Sequence, residues 1–387
     1  MSVVPGLTRL LASRRLEGLR VGLVCNPASV DAAIAHASDL VFKAPGVTLA
    51  ALFGPQHGFR ADLQDNMIES PHAIDALRRV PVHSLYSETR EPTAEMLRGL
   101  DVLVIDLQDV GARIYTFVYT MANCLRAAAR HRIPAVVCDR PNPIGGLAVE
   151  GPMLEPGFES FVGLFPIPMR HGMTIGELAL LFNTHFGIGA DLDVVGMDGW
   201  SRDMYFDDTG LPWVMPSPNM PTLDTAIVYP GAVLFEGTQV SEGRGTTRPF
   251  ELLGAPWVDA ERCCEELNAL RLGGAVFRPV MFEPTFHKYA HEACGGCQIH
   301  VTDRQAFLPV LASVAVMAAF HRADPGRFAW RQPPYEYEHD KMPIDILAGS
   351  PALRGQIERG ADAREIAASW APGVAAFDPV RRSCLLY

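Results

Sequence analysis

The chain has 387 residues, which is long enough for two domains that each bury a core. Its 33 basic and 44 acidic side chains give a net charge of −11, which disfavours nucleic acid and anionic membrane surfaces as partners. No apolar run approaches the roughly 20 residues that a membrane span needs. The N-terminal residues lack a secretory pattern, and most of the eight cysteines stand in apolar or helical contexts, so we expect a cytoplasmic protein.

Short apolar runs alternate with helix-like patterns through the first half of the chain. We predict strands at residues 19–25, 47–53, 102–107 and 135–138, and helices at residues 30–40, 91–100 and 116–132. This alternation predicts an α/β fold with a doubly wound, mostly parallel sheet. Neither a GxGxxG after the first strand nor a GxxxxGK[ST] occurs, so no nucleotide cofactor is expected.

Three polar loops follow the ends of predicted strands, at residues 54–60, 106–113 and 139–146. In a doubly wound sheet the ligand crevice lies beyond the carboxyl ends of the strands. Because three strands deliver polar residues to one edge of the sheet, we predict a binding site at that edge.

The second half of the chain has a mixed α+β pattern. Thr174 and Glu177 form a predicted capping box that opens a helix extending to residue 186. Further predicted elements are a strand at 191–197, helices at 259–270 and 305–321, and strands at 275–278 and 298–302. The change in pattern places a domain boundary near Tyr229, with one domain at residues 1–228 and an α+β domain at 229–387.

Residues 215–256 are rich in proline and glycine but lack the composition of a disordered linker. A long, ordered, irregular segment usually exists to build a site. Within it, Glu242 and Arg244 stand between glycines in the sequence SEGRGTT, at residues 241–247. Such a pair can hold or protonate a polar substrate; the alternative is a structural turn with an ion pair.

Taken together, these segments resemble the DUF1343 family, the exo-β-N-acetylmuramidases of the NamZ type. The resemblance covers essentially the whole chain, including GPQHGFR (54–60), DVLVIDLQDVGARIYT (101–116), DRPNPIGG (139–146), PIPMRHGMTIGELA (166–179) and FEGTQVSEGRGTTRPFELLGAPW (235–257). It implies a glycoside hydrolase that removes terminal β-linked N-acetylmuramic acid from the non-reducing end of peptidoglycan fragments. It also implies a Rossmann-like N-terminal domain, a smaller C-terminal domain that contributes the 241–247 loop, a cleft site and no cofactor.

The sequence departs from the family pattern at one position. In the family the loop after the second strand often reads Glu-His-Gly, and that glutamate is the proposed catalytic acid. Here the position is Gln56, followed by His57 and Gly58. An amide cannot donate a proton to a leaving glycosidic oxygen as a carboxylic acid can.

Glycoside cleavage usually needs one protonated carboxyl group and a second carboxylate, although N-acetyl sugars also allow attack by their own acetamide. With Gln56 excluded as the acid, Glu242 is the leading carboxylate, followed by Asp109. Asp106 is the alternative to Asp109, and His57 is an acid or base for reactions near neutral pH. Weaker substitutes for the missing acid are Asp62, Asp65 and Glu69.

Binding residues are expected among the arginines and amides of the same loops. Arginine can hold the lactyl carboxylate of muramic acid with two hydrogen bonds, and asparagine suits hydroxyl or acetamide groups. The candidates are Arg60 and Arg140 first, then Arg113 and Arg244, with Gln56, Asn142, Asn219 and His171 as further polar contacts and Tyr115 and Trp213 as stacking surfaces.

Two other functions remain open at this stage. Gln56 favours a relative that binds a muramyl saccharide without hydrolysing it. A metal-assisted hydrolase would have to use His57, Asp62, Asp106 and Asp109, and no HxxxH or HxH pair supports it. Cys294 and Cys297 form a CxxC pair with no partner pair at zinc spacing, so no metal is expected there either.

Overall fold

The computed structural model describes residues 2–64 and 67–387; Asp65, one of the weaker candidate acids, lies outside this part of the chain. The strands are β1 (Arg20–Cys25), β2 (Thr48–Gly54), β3 (Ala73–Ile74), β4 (Pro81–Ser84), β5 (Val102–Asp106), β6 (Ala135–Cys138), β7 (Glu150–Met153), β8 (Pro168–Arg170), β9 (Leu192–Val195), β10 (Leu252–Ala255), β11 (Ala275–Phe282) and β12 (Cys294–Val301). The α-helices are α1 (Gly6–Ala12), α2 (Ala37–Lys43), α3 (Phe117–His131), α4 (Ile175–Leu180), α5 (Leu223–Ala232), α6 (Ala260–Ala269), α7 (Pro309–Ala323), α8 (Pro343–Ala348), α9 (Ala352–Glu358), α10 (Ala363–Ala368) and α11 (Ala371–Arg382).

The larger sheet confirms the predicted doubly wound fold. Its strand order among the described residues is β3-β4-β2-β1-β5-β6-β9, and β1 pairs in parallel with both β2 and β5. The β4, β6 and β9 strands also pair in parallel, and only the short β3 strand pairs antiparallel. Every residue of β5 and β6 is buried, as expected of parallel strands covered on both faces.

Helix α3 begins near the polar carboxyl edge of this sheet. It begins at Phe117, directly after the loop that follows β5, and ends where Arg132 adopts a left-handed conformation with φ 55°. Thr116 precedes the first turn without capping it through its side chain, so its hydroxyl is available for another partner. The start of α3 therefore lies at the carboxyl edge of the sheet, where the sequence predicted a site.

The second half of the chain forms the smaller α+β unit. Its antiparallel sheet has the strand order β10-β12-β11; α6 packs against this sheet, and α7 packs against α5 and α6. In the first half of the chain, β7 and β8 form a separate two-stranded ribbon. Nowhere in residues 2–64 and 67–387 is a helix long and apolar enough to cross a membrane.

Several predicted elements differ from the structure. The helix predicted from residue 30 begins only at Ala37, because Val30 and His36 pair in a tight bridge before it. Residues 91–100 form turns rather than a helix. A single i to i−4 bond, from Leu97 N to the Thr93 carbonyl, is followed by bonds of the i to i−3 type. The strand predicted at 275–278 continues to Phe282.

The proline- and glycine-rich stretch is less irregular than predicted. Its centre is helix α5, which the Thr222 hydroxyl caps by accepting from Thr225 N, and a 3₁₀ turn at Val233–Gly237 follows. Pro230 lies in the last turn of α5, and a Cβ on Gly231 would lie 2.0 Å from the Pro309 carbonyl oxygen. Glycine here permits close packing of α5 on α7 rather than ending the helix. The boundary predicted near Tyr229 falls inside α5 and stays a prediction.

Candidate active site

A cavity of about 480 Å³ lies beyond the carboxyl ends of β2 and β5 and is completed by residues from the second half of the chain. The loop after β2, the start of α3, the 215–256 stretch and a segment near residue 336 all reach it. The polar and aromatic lining residues are Gln56, His57, Tyr115, Thr116, Ser217, Asn219, Tyr229, Glu236, Arg244, Phe250, Tyr335 and Glu336.

Gln56 links the two halves of the cavity wall. It is buried, and its side-chain oxygen accepts a 2.7 Å hydrogen bond from the Thr116 hydroxyl. Its side-chain nitrogen lies 3.3 Å from Oε1 of Glu336, to which it donates. The position where the family pattern has a carboxyl group therefore touches a carboxyl group supplied from elsewhere in the chain.

Glu336 is a buried carboxyl group with no cationic side chain among its hydrogen-bond partners in the described structure. The Tyr86 hydroxyl donates to its Oε2 at 2.8 Å. Burial raises the pKa of Glu336 to about 7, and the nearby charge of Glu236 adds to the rise, while the bonds from Tyr86 and Gln56 and the charge of Arg90 oppose it. A carboxyl group with this pKa is still largely protonated at slightly acid pH, as a general acid must be.

Glu236 is the second carboxylate of the cavity, and it is held on both sides. Arg244 Nη2 donates to its Oε1 at 2.6 Å, and the Tyr335 hydroxyl donates to its Oε2 at 2.7 Å. Charge-assisted bonds of this kind fix the orientation of the carboxyl group. The cavity thus contains two carboxyl groups in different surroundings.

Glu242 was the leading candidate acid, and the structure argues against that role. Its side chain is fully buried outside the cavity lining, with Lys288 Nζ at 2.7 Å, Arg244 Nε at 3.3 Å and His287 Nδ1 at 3.4 Å. Burial alone would raise the pKa of Glu242, but the charges of Lys288, His287 and Arg244 outweigh it and lower the pKa to about 2. Glu242 therefore holds no proton near neutral pH; it is the ion-pair partner that the alternative interpretation described.

His57 and Asn219 line the cavity as predicted for a site residue and a binding residue. His57 adopts a left-handed backbone conformation with φ 70°, and its Nδ1 donates to the Leu63 carbonyl at 2.7 Å. That acceptor fixes the proton on Nδ1 in the neutral ring. Asn219 Nδ2 donates to the Gln64 carbonyl at 3.2 Å, which joins the 215–256 stretch to the loop after β2.

Arg140 and Asp106 lie at the sheet edge but outside the cavity lining. They form a two-bond buried ion pair, from Nε to Oδ1 at 2.6 Å and from Nη2 to Oδ2 at 2.7 Å, and Arg140 also donates to the Val30 carbonyl. The predicted role of Arg140 in substrate binding has no support in the cavity, because its guanidinium lies outside the lining and bonds to Asp106 and to the Val30 carbonyl.

Asp109, His171 and Asn142 form a second set of internal contacts away from the cavity. Asp109 Oδ2 accepts from Gly111 N at 2.7 Å and lies 3.4 Å from His171 Nε2, and His171 is fully buried. Asn142 Nδ2 donates to the Met173 carbonyl at 2.9 Å. These contacts attach the loops after β5 and β6 to residues 171–173, and of the three predicted polar loops only the one at 54–60 contributes residues to the cavity lining.

The remaining candidates lie in other surroundings. Arg60 and Asp62 line a separate cavity beside β3 and β4, and Glu69 faces Arg90 at 3.6 Å. Arg113 is fully buried and donates to the carbonyls of residues 152, 167 and 347. No group of three or more metal-binding side chains occurs in the described parts of the chain, so the metal-assisted alternative has no cluster to support it there.

Glu236, Tyr335 and Glu336 line the cavity but are not among the site residues predicted from the sequence. Glu236 stands in the quoted FEGTQ segment, six residues before Glu242. Glu336 lies in PPYEYE, at residues 333–338, where acidic and aromatic residues alternate after two prolines. That clustering of rigid backbone, aromatic rings and carboxylates was a usable signal, although nothing in it indicated proximity to Gln56.

The fold and cavity define an α/β protein with a smaller α+β unit, in which the polar site combines Gln56 and His57 from the loop after β2 with the carboxyl groups of Glu236 and Glu336 from the second half of the chain. Residues 21–224 match the N-terminal domain of the exo-β-N-acetylmuramidase NamZ, and residues 227–387 match its C-terminal domain. The chain therefore belongs to the NamZ family, which confirms the resemblance stated above.

Individual relatives agree with this assignment over the full length. The chain is 46% identical, over 100% of its length and 91% of the relative, to the peptidoglycan β-N-acetylmuramidase NamZ of Bacillus subtilis (strain 168). A crystal structure of a DUF1343 family protein from Bacteroides fragilis matches with a TM-score of 0.90 and 36% identity, covering 100% of this chain and 99% of that one. A second Bacteroides fragilis protein of that family matches with a TM-score of 0.78 and 28% identity, over 100% and 99% of the two chains.

Proposed function

We propose that this protein is an exo-β-N-acetylmuramidase, a glycosidase that releases terminal β-linked N-acetylmuramic acid from the non-reducing end of peptidoglycan fragments. The observation that carries the proposal is the full-length match, at 46% identity, to a peptidoglycan β-N-acetylmuramidase. The cavity supports it, because it brings the carboxyl groups of Glu236 and Glu336 together with polar side chains that can contact a sugar.

The chemistry of the cavity suits glycoside hydrolysis. Such enzymes combine a protonated carboxyl group with a second carboxylate that acts as base or nucleophile, or that orients the acetamide of the substrate. Glu336 and Glu236 have the matching surroundings, one buried without a cationic hydrogen-bond partner and the other held by Arg244 and Tyr335. No bound metal or cofactor is required by this arrangement.

The predicted binding residues Gln56, Asn219 and Arg244 and the predicted catalytic residue His57 line the cavity and remain our candidates for substrate contacts. Among the lining residues of the described chain, Arg244 alone carries a permanent positive charge. We therefore assign it the attraction of the lactyl carboxylate, which distinguishes muramic acid from glucosamine. Because Arg244 also pairs with Glu236, substrate binding and the position of that carboxylate are coupled.

We also place the protein in the cytoplasm, in turnover or recycling of muropeptide sugars. The support is that all eight cysteines are free and buried, as in proteins of a reducing compartment. Fractionation of cells with antibody detection tests this; recovery of the protein mainly outside the cytoplasmic fraction would contradict it.

The first test of the activity is turnover of a chromogenic β-N-acetylmuramide beside the matching β-N-acetylglucosaminide. Release from the muramide alone is the expected result. A second function, saccharide binding without hydrolysis, is favoured by one observation, the amide at Gln56 in place of the family's carboxyl group. Silence on both substrates, with a muramyl disaccharide still raising the melting temperature, would favour that function instead.

A further inference from the structure

We infer that Glu336 is the proton donor to the leaving glycosidic oxygen, so that the acid absent from position 56 is supplied by the C-terminal domain. This inference rests on the proposed glycosidase function and adds the assignment of its acid. It depends on where Glu336 lies, what holds it and which charges surround it.

The position of Glu336 is the first argument. Its carboxyl group lines the cavity, and only 4% of the residue is exposed. Oε1 lies 3.3 Å from the side-chain nitrogen of Gln56, so the carboxyl group lies within one hydrogen bond of position 56. A proton carried by Glu336 is therefore presented to nearly the same region of the cavity as one carried at position 56.

The backbone around Glu336 is the second argument. Glu336 and Tyr337 both adopt left-handed conformations, with φ 46° and 67°, inside a tight turn in which Tyr335 and Glu338 exchange backbone bonds at 2.9 Å. Each such residue costs on the order of 1 kcal/mol and persists only where the surroundings enforce it. Here the Arg90 guanidinium packs over the rings of both Tyr86 and Tyr337, at 4.0 and 4.8 Å from their centroids. These contacts hold the strained turn against the first domain, and the carboxyl group of Glu336 lies in the cavity lining.

The charges facing Glu336 set its protonation. From the first domain it meets the Tyr86 hydroxyl, the Gln56 amide and the Arg90 charge; from the second it meets the Glu236 charge. Burial and Glu236 together outweigh the other three groups and raise the pKa of Glu336 to about 7. Tyr335 lies between the two carboxylates in sequence and space but bonds only to Glu236 among them.

The amide at Gln56 makes this arrangement possible. Its oxygen is committed to the Thr116 hydroxyl, so its nitrogen must point toward Glu336. A second carboxyl group at the same place would lie about one hydrogen bond from the first, and two such groups share one proton. Gln56 is therefore a positioning residue that keeps Glu336 in place without competing for its proton.

The reaction step balances without an additional reactant. The Glu336 proton moves to the glycosidic oxygen as the bond from that oxygen to the anomeric carbon breaks, and the bonding electrons leave with the oxygen as an alcohol. Water then supplies hydroxyl to the anomeric carbon, and the proton it loses restores the acid. The net change is addition of one water across the bond.

The decisive comparison uses two substrates that differ in their need for an acid. The leaving group of a muramyl disaccharide is a sugar hydroxyl oxygen, which needs protonation. The leaving group of a 4-nitrophenyl muramide is a stable phenolate, which needs little protonation. We expect Glu336→Gln to lower kcat on the disaccharide at least about 100-fold and on the 4-nitrophenyl substrate by less than about 10-fold. The matched control is Glu338→Gln, the same change two residues along the same turn, at a carboxylate that pairs with Lys341 outside the cavity lining.

The exchange variant Gln56→Glu/Glu336→Gln sharpens the test, because it moves the carboxyl group from position 336 to position 56 and keeps an amide opposite it. We expect it to recover at least about 10-fold of the disaccharide activity lost in Glu336→Gln. If Glu336→Gln does not fold, the wild-type protein decides the question: kcat on the disaccharide should fall above pH of about 7, while kcat on the 4-nitrophenyl substrate stays level.

Three results would overturn the inference. They are disaccharide turnover by Glu336→Gln at the wild-type rate, equal losses on both substrates, and identical pH profiles of the wild-type protein on both substrates. Silence of the wild-type protein on both muramides would instead overturn the proposed function, and the assignment with it. Failure of the function and failure of the assignment are therefore distinguished by the wild-type protein.

Discussion

Two buried glutamates near the centre of this molecule have opposite surroundings. Glu242, in the glycine-flanked loop, is enclosed by Lys288, Arg244 and His287. Glu336, in the turn after two prolines, has a tyrosine and an amide as hydrogen-bond partners. The pKa of Glu242 is lowered to about 2 by its cations, whereas burial raises the pKa of Glu336 to about 7.

The difference shows that burial by itself does not make a carboxyl group an acid catalyst. Burial raises the pKa of both side chains, and the neighbouring charges decide the outcome. The loop that looks most like a catalytic motif in the sequence therefore contains a structural ion-pair cluster. The less conspicuous turn contains the group that retains a proton.

The largest effect is expected from removing the main cation of the Glu242 cluster. Lys288 Nζ bonds to Glu242 and to the carbonyls of Phe235 and Val240, at 2.7, 2.8 and 3.0 Å. Lys288→Met leaves a buried carboxylate short of a partner, which typically costs about 3–5 kcal/mol of the free energy of unfolding. Urea denaturation at pH 7 measures the loss.

The matched control is Lys341→Met, which breaks a more exposed lysine–glutamate pair with Glu338 and should cost less than about 1 kcal/mol. Glu242→Gln/Lys288→Met removes both charges and should recover part of the lost stability. An equal cost for the two lysine variants would show that Glu242 is not held as an ion pair, and the contrast with Glu336 would weaken.

The doubly wound sheet was predictable because its signal is local. Strands such as β5 and β6 are short, wholly buried apolar runs, and their type and position follow from a few adjacent residues. Helix α5 was missed because Pro230 and Gly231 look like breakers, whereas the close approach of the Pro309 carbonyl makes glycine necessary at residue 231. That requirement exists only in the folded molecule.

The site was predictable only in part, for a related reason. Gln56 and His57 follow a predicted strand, and both line the cavity. Glu336 is 280 residues from Gln56 in the sequence, so no local pattern connects them. Arg140 is a predicted binding residue because it follows a strand, but Asp106 at the end of the neighbouring strand β5 pairs with it, and the two neutralise each other. A residue at the end of a strand lies near the carboxyl edge of the sheet, but its side chain is not necessarily available to bind a substrate.

A second prediction tests the Glu336 half of the comparison through stability. Since the folded pKa of about 7 exceeds the ordinary value of 4.5, the folded state binds the proton more tightly than the unfolded state. The resulting stabilisation is full below pH 4.5 and is lost as the pH rises through 7, by at most about 3 kcal/mol. Glu336→Gln mimics the protonated form, so its stability should exceed that of the wild-type protein by less than about 1 kcal/mol at pH 5 and by about 3 kcal/mol at pH 8.

Denaturant unfolding of both proteins at the two pH values gives this difference directly. Asp139 and Glu150 also have pKa values raised by burial to about 7, but they are present in both proteins and cancel. Glu338→Gln is again the control, since the pKa of Glu338 is lowered rather than raised. If the stability difference between the two proteins does not change between pH 5 and pH 8, the pKa of Glu336 is not raised in the folded state.

The smallest expected effect is a shift of the pH profile in Tyr86→Phe, and it depends most directly on Glu336 as the acid. The Tyr86 hydroxyl donates to Glu336 at 2.8 Å, and a bond to the carboxylate favours the charged form. Tyr86→Phe should therefore raise the pKa of Glu336 further and move the basic limb of the disaccharide pH profile upward, by up to about one pH unit. Tyr205→Phe, which loses a hydroxyl bonded to the Arg304 carbonyl outside the cavity lining, should leave that limb in place. A shift in the opposite direction, or the same shift in both variants, would mean that the limb reports another group, and the contrast between the two glutamates would lose its functional meaning.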